Sequence, residues 1–120
     1  MRKYIKRIRK TEAVIANIMS NANRKDSNTD EIMIAILESG WKYIDMHDCG
    51  RGLPDCIAYK IVKNIPLSVM IEIKTRIGKL TKAEKIFHEK HNGLVYICRS
   101  GEDVKRILSD YDRKVKVSAR

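Results

Sequence analysis

Three residues near the middle of the chain have types and spacing that suit phosphate chemistry: Asp55, Glu72 and Lys74. Glu72 and Lys74 are two residues apart in an apolar segment, so on a strand both side chains project to one face. Two carboxylates can share a hard cation such as Mg²⁺, which lowers the pKa of its bound water and neutralises charge on a phosphate. A nearby ammonium stabilises the same charge. The residues therefore predict phosphodiester hydrolysis; an edge strand with one solvated face is the alternative for Glu72 and Lys74 taken alone.

The segments around these residues predict the hairpin that brings them together. Residues 55–62 and 67–75 are rich in Ile, Val and Tyr and are joined by Lys63-Asn64-Ile65-Pro66. In such a hairpin Asp55 and Glu72 lie at facing ends of adjacent strands. Two glycines and a proline in residues 48–54 predict a loop that leads directly into Asp55.

Apolar periodicity and capping residues predict the other elements. Helices are expected over residues 11–22, from a cap at Thr29 or Asp30 to Ser39-Gly40, over 81–91 and over 101–111, and strands over 41–46 and 94–99. From the second of these helices onward, the order is helix, three strands, helix, strand, helix. This order predicts a small mixed α/β domain.

The stretch from about residue 30 to residue 104 resembles a nuclease family. Pro54-Asp55, a hairpin and then Glu72-Ile73-Lys74 match the PD-(D/E)XK signature of restriction-endonuclease-like nucleases. The glycine loop before Asp55 and the basic loop after Lys74 are similar to the virus-type replication-repair nuclease (VRR-NUC) branch and to archaeal Holliday junction resolvases. The resemblance implies an α/β fold with a restriction-endonuclease-like core, in which a mixed central β-sheet is flanked by helices.

The resemblance also implies roles for individual residues. Asp55 and Glu72 look like metal ligands for Mg²⁺, which Mn²⁺ is expected to replace, and Lys74 looks like the catalytic lysine. Relatives often add an acidic residue from the helix before the first strand. Glu31 is the candidate for that metal ligand here, with Glu38 and Glu12 as alternatives.

One position departs from the family pattern. Where the VRR-NUC pattern has Gln on the helix after the lysine strand, this chain has Glu84. Glu84 is either an accessory ligand or a partner of Lys74 or His88. Five basic residues are expected around these acidic residues, where a DNA backbone would pass: Arg51, Arg76, Lys79, Lys82 and Lys85.

The charge of the chain is concentrated at its ends. The 120 residues include 25 Lys and Arg against 15 Asp and Glu, for a formal charge of +10. Residues 12–112 are balanced, so the excess lies in two basic arms, residues 1–10 and 113–120, which are the two ends of a single domain spanning 1–120. Such arms favour a polyanionic partner, of which DNA is preferred over a membrane surface.

Composition excludes several other classes of protein. No apolar run approaches the length of a membrane span, and the basic N-terminus lacks a secretory signal, so a cytoplasmic protein is expected. The three cysteines lack a CxxC spacing and are expected to be reduced, mostly buried thiols rather than disulfide or zinc ligands.

These observations predict a Mg²⁺-dependent endodeoxyribonuclease. A branched substrate such as a Holliday junction is favoured, in replication, repair or recombination, because no separate sequence-reading domain is evident. Symmetrical cleavage of a junction requires two active sites, and the resolvase-like relatives imply a homodimer. By resemblance, a compact stand-alone nuclease of this kind is phage-like. The alternatives are a small sequence-specific endonuclease and a basic nucleic-acid-binding module without catalytic activity.

Overall fold

A computed structural model describes residues 11–15 and 27–118 of the chain. Residues 11–15, at the start of the first predicted helix, are helical, and the N-terminal basic arm lies outside the described residues. The remaining elements follow in the order α1 (Ser27–Glu38), β1 (Lys42–Asp45), β2 (Cys56–Val62), β3 (Ile65–Ile73), α2 (Lys82–Lys90), β4 (Val95–Cys98) and α3 (Gly101–Ser118). The predicted order of helix, three strands, helix, strand, helix is confirmed.

The four strands form one mixed sheet in the order β1-β2-β3-β4. The pairs β1–β2 and β2–β3 are antiparallel, whereas β3 and β4 are parallel and are connected through α2. Parallel neighbours require such a crossover connection, which explains why a helix interrupts the strands at this point. The predicted α/β class with a mixed sheet flanked by helices is therefore confirmed.

The hydrophobic core lies between one face of the sheet and the helices α1 and α3. Ile36 of α1 and Leu108 of α3 are fully buried together with Ile71 of β3. Because side chains alternate along a strand, Ile71 and Ile73 belong to this core face and Glu72 projects to the opposite face. The core thus fixes which way Glu72 points.

Two helix boundaries differ from the prediction. The helix α1 begins at Ser27, so Thr29 and Asp30 lie in its first turn and neither caps it. The Asn28 side chain donates to the Arg99 carbonyl at 2.7 Å, a contact between residues distant in sequence that supports this earlier start.

The helix α3 extends to Ser118, seven residues beyond its predicted end. The buried stripe continues from Leu108 to Val115, one heptad later, and this continuation holds the helix together. Residues 113–118 of the predicted C-terminal arm are therefore helical and do not form a free arm.

The described cysteines match the expectation of reduced, mostly buried thiols. Cys56 and Cys98 are buried and Cys49 is exposed, all three without a disulfide. Burial, with nearby carboxylates in support, raises the pKa of both buried thiols to about 12, so they stay protonated. Within the described residues, no helix combines the length and apolar character that crossing a bilayer requires.

Candidate active site

The structure brings four of the predicted site residues together at one end of the sheet. Asp55 directly precedes β2, Glu72 lies near the end of β3, Lys74 follows that strand, and Glu84 lies in the first turn of α2. Each comes from a different part of the hairpin or from the helix that follows it. Their convergence therefore depends on the pairing of β2 with β3 and on the docking of α2.

The carboxylate of Asp55 is fixed by the backbone of the neighbouring strand. Its Oδ2 atom accepts a hydrogen bond of 2.6 Å from the Ile73 backbone N–H. Ile73 lies between Glu72 and Lys74 in the sequence, so this bond ties the aspartate to the strand that carries the other two groups. The register of Cys56 opposite Ile71 places the two strand ends side by side.

Glu72 is a buried acid with an unsatisfied oxygen. The residue is 1% exposed, and its Oε1 atom has no hydrogen-bond partner. Burial, followed by hydrogen-bonding contact with the carboxyl groups of Asp55 and Glu84 and by their negative charge, raises the pKa of Glu72 to about 9. A buried anion beside two other carboxylates is costly without a compensating cation. The position of Glu72 therefore suits a site that receives positive charge.

Lys74 and Glu84 form the ion pair of the site. Their Nζ and Oε1 atoms are 2.8 Å apart, and both side chains are largely buried. Burial alone would lower the pKa of Lys74, but the hydrogen bond to Glu84 and the charges of the surrounding carboxylates outweigh it and raise that pKa. Lys74 is thus a cation at neutral pH and suits charge stabilisation rather than proton abstraction.

A capping box holds Glu84 in place at the start of α2. The Glu84 Oε1 atom accepts from the Thr81 backbone N–H at 2.8 Å, and the Thr81 hydroxyl accepts from the Glu84 N–H at 3.2 Å. Burial opposes ionisation of Glu84, but the hydrogen bonds from Lys74 and from Thr81 lower its pKa to about 2. Of the partners predicted for Glu84, the structure selects Lys74.

The glycine loop before Asp55 packs directly against α2. Gly52 has a φ of +79°, and a Cβ atom at this position would lie 2.6 Å from the Ala83 carbonyl oxygen. Only glycine permits both this conformation and this approach. The contact links the loop that leads into Asp55 with the helix that carries Glu84.

Arg99, which the sequence did not mark as a site residue, holds the loop that follows Lys74. Its Nη1 atom donates to the carbonyl oxygens of Thr75 at 2.6 Å, Gly78 at 2.8 Å and Arg76 at 3.4 Å. This loop begins directly after Lys74. Because all three acceptors are backbone atoms, no side-chain pattern in the sequence signals the contact.

Glu31 and Glu38, two of the three acidic candidates of the N-terminal half, contact residues of α3, and the third, Glu12, is exposed. Glu31 accepts a hydrogen bond of 3.0 Å from the Gly101 N–H and so caps the first turn of α3. The Glu38 Oε1 and Lys105 Nζ atoms are 3.7 Å apart. Glu12 is exposed and lies in the helical segment 11–15. Asp30, beside Glu31, is instead the buried acid of α1, with an unpartnered Oδ2 atom.

The five predicted DNA contacts are all exposed and belong to segments next to the acidic cluster. Arg51 lies in the glycine loop beside Gly52, and Arg76 and Lys79 lie in the loop held by Arg99. Lys82 and Lys85 lie in the first turns of α2. The basic side chains thus occur on the loops and helix that adjoin Asp55, Lys74 and Glu84.

Asp55 and Glu72 fit a magnesium ion better than a metal that needs many protein ligands. Among the residues that the structure describes, no three His, Cys, Asp or Glu side chains form a ready-made metal cage. Mg²⁺ typically keeps several waters and uses one or two carboxylates. The orphaned, buried oxygen of Glu72 beside Asp55 matches that donor set.

Comparison with known proteins adds no relative: no family model, no curated protein and no solved structure matches this chain.

Proposed function

We propose that the protein is a metal-dependent endonuclease that hydrolyses DNA phosphodiester bonds. The observation that carries the proposal is the buried Glu72, with its unpartnered oxygen, held between Asp55 and the Lys74–Glu84 pair. A cation held by Asp55 and Glu72 would offset the cost of burying their negative charge and would supply the chemistry that phosphate hydrolysis needs. The restriction-endonuclease-like, VRR-NUC-like assignment belongs to the same proposal and is supported by the spacing of these residues along the predicted element order.

The residues divide the chemistry among them. Mg²⁺, when bound, would neutralise phosphate charge and lower the pKa of a bound water. Asp55 and Glu72 would hold the ion through their carboxylate oxygens. Lys74, kept protonated by Glu84, stabilises the negative charge that develops on the phosphate oxygens during hydrolysis. Arg51, Arg76, Lys79, Lys82 and Lys85 would bind the flanking backbone by charge.

Branched DNA is the proposed substrate class, in the cytoplasm of a bacterial or phage-infected cell. The elements that the structure describes from Ser27 to Ser118 belong to a single α/β unit, which carries the acidic cluster. Two active sites are needed for symmetrical cleavage of a junction, so a homodimer is proposed as the working form.

The test is cleavage of labelled four-way junction, flap, duplex and single-stranded DNA with Mg²⁺ or Mn²⁺. The wild type is compared with Lys74→Ala and with Lys63→Ala, which removes an exposed lysine from the distant β2–β3 turn. We expect wild type and Lys63→Ala to cut the junction best and Lys74→Ala to bind it but cut it at least about a hundredfold more slowly. Equal binding with no cleavage of any substrate would instead favour the non-catalytic binding module. Preference for one duplex sequence would favour the sequence-specific enzyme.

A further inference from the structure

An isolated apolar side chain protrudes beside the candidate active site. Ile77 is 87% exposed, more than any other large hydrophobic residue in the described part of the chain. It lies three residues after Lys74, between the exposed cations Arg76 and Lys79. Exposing an isoleucine to this extent gains nothing in folding, because the side chain leaves almost all its apolar surface in water.

Hydrogen bonds to its backbone carbonyl groups fix the loop that carries Ile77. Arg99 donates to the carbonyl oxygens of Thr75 and Gly78 at 2.6 and 2.8 Å. A backbone hydrogen bond of 3.2 Å from Gly78 N–H to the same Thr75 carbonyl closes the turn. The tip is therefore presented in a fixed shape, and little ordering entropy remains to be lost when it binds a partner.

We infer that Ile77 is an apolar wedge that inserts between bases of DNA where their stacking is weak, while Arg76 and Lys79 bind the phosphates on either side. Proteins that kink or open DNA use isolated Ile, Leu, Phe or Met side chains in this way, surrounded by cations. Opening a base step is cheapest at a branch point, a mismatch or a nick. The inference rests on the proposed function and adds a physical reason for selecting branched DNA.

The position of the loop favours DNA over a membrane surface as its partner. An isoleucine between cations also suits an anionic lipid surface. This loop, however, begins immediately after Lys74 and stands next to Asp55, Glu72 and Glu84, the acidic residues around which the proposed function places phosphodiester hydrolysis. The loop therefore lies where the proposed function places the DNA backbone, and DNA is the partner to which the inference commits.

The test is binding of a four-way junction that carries 2-aminopurine next to the branch point, measured in EDTA. Loss of stacking raises the fluorescence of this base. We expect the wild type to raise it, and Ile77→Ser to give less than about half of that increase at saturation. The affinity of Ile77→Ser should fall by less than about fivefold, because phosphate contacts supply most of the binding. Ile77→Leu should behave like the wild type.

Leu94→Ser is the matched control. Leu94 is 58% exposed and lies at the opposite end of β4 from Arg99, so the variant removes exposed apolar surface away from the loop. It should give the full increase in fluorescence. Equal responses of Ile77→Ser and wild type would overturn the wedge, and so would binding of phosphatidylserine vesicles through Ile77 with no response to DNA.

The experiment separates this inference from the proposed function because binding in EDTA requires no cleavage. A protein that opens the labelled step through Ile77 but never cuts DNA would support the wedge and contradict the nuclease. A protein that cuts junctions with unchanged fluorescence would contradict the wedge and leave the nuclease standing.

Discussion

At the scale of single residues, the site is organised around the burial of Glu72. Its carboxyl group is removed from water and faces two other carboxyl groups, so the ionised form is unfavourable. Glu84 has the opposite situation, because Lys74 and the Thr81 N–H stabilise its charge. In the proposed function the two glutamates therefore have different roles: Glu72 would bind the cation, and Glu84 keeps Lys74 protonated.

This difference predicts how stability depends on pH in metal-free protein. The pKa of Glu72 is about 9 in the folded state and near 4.5 in the unfolded chain. The native state therefore keeps a proton that the unfolded chain releases. The stabilisation that comes from this proton is complete below about pH 4.5 and is lost progressively up to about pH 9. Over that range the free energy of unfolding falls by at most about 1.4 kcal/mol per pH unit.

Urea unfolding in EDTA between pH 5 and 9 measures this contribution. The free energy of unfolding of wild type should fall with rising pH more steeply than that of Glu72→Gln, which cannot ionise. Parallel pH dependences for the two proteins would show that Glu72 does not carry a raised pKa.

At the scale of elements, three contacts between backbone or polar groups hold the site together. Gly52 fits against Ala83 of α2, the capping box of Thr81 and Glu84 fixes the start of that helix, and Arg99 holds the loop after Lys74. None of these contacts involves the hydrophobic core. The helix α2 has no buried residue, so its position depends on such contacts more than on apolar packing.

Gly52 and Gly50 provide a matched pair that tests this dependence. Both have a positive φ, but a Cβ at Gly50 meets nothing within 4 Å, whereas at Gly52 it meets the Ala83 backbone. Gly50→Ala should lower the free energy of unfolding by only about 1–2 kcal/mol, because alanine is strained at a positive φ. Gly52→Ala should cost at least about 1 kcal/mol more through overpacking and should also displace α2.

Chemical denaturation and DNA cleavage together measure both effects. Cleavage should be retained in Gly50→Ala and strongly reduced in Gly52→Ala under conditions where both remain folded. Equal activity of the two variants would mean that the contact with α2 does not position the site.

The elements that repeat a local pattern were predictable from the sequence, and those fixed by distant contacts were not. Alternation and turn residues located β2 and β3, and Thr81 marked the start of α2. The turn between β2 and β3 proved shorter than predicted, because Val62 pairs with Ile65 and only Lys63 and Asn64 remain unpaired. Both have positive φ, which asparagine favours but which lysine gives no reason to expect.

The same distinction applies to the candidate site. The motif spacing located Asp55, Glu72 and Lys74, and the helical register left Glu84 within reach of Lys74. Periodicity could not determine the role of Glu31, because its contact with the Gly101 N–H depends on how α1 and α3 pack. Arg99 was missed for the same reason, since its acceptors are backbone carbonyls of a loop more than 20 residues earlier.

At the scale of the whole molecule, the sheet face opposite the core leaves apolar side chains exposed. Ile44, Tyr59 and Ile61 lie on this face and are 52%, 37% and 71% exposed. Contiguous apolar surface of this kind commonly marks a protein interface. The proposed homodimer would cover it, and a two-fold axis there would pair the same residues of both copies.

Analytical ultracentrifugation tests this interface. We expect wild type to sediment as a dimer and Ile61→Asp as a monomer, because two copies of the introduced carboxylate would face an apolar surface. Leu94→Asp, which changes a comparably exposed residue elsewhere, should remain dimeric. A monomeric wild type, or a dimeric Ile61→Asp variant, would contradict the assignment of this face.

Metal-dependent cleavage by Asp55 and Glu72 can be measured as the single-turnover cleavage rate of junction DNA bound by saturating protein, as a function of Mg²⁺ concentration. Wild type is compared with Asp55→Asn, whose amide oxygen can still accept the Ile73 N–H bond while the charge is lost. We expect no cleavage in EDTA, a rate that saturates with Mg²⁺ for wild type, and a rate at least about a hundredfold lower for Asp55→Asn. Cleavage in EDTA, or equal rates for the two proteins, would show that Asp55 does not act through a bound metal ion.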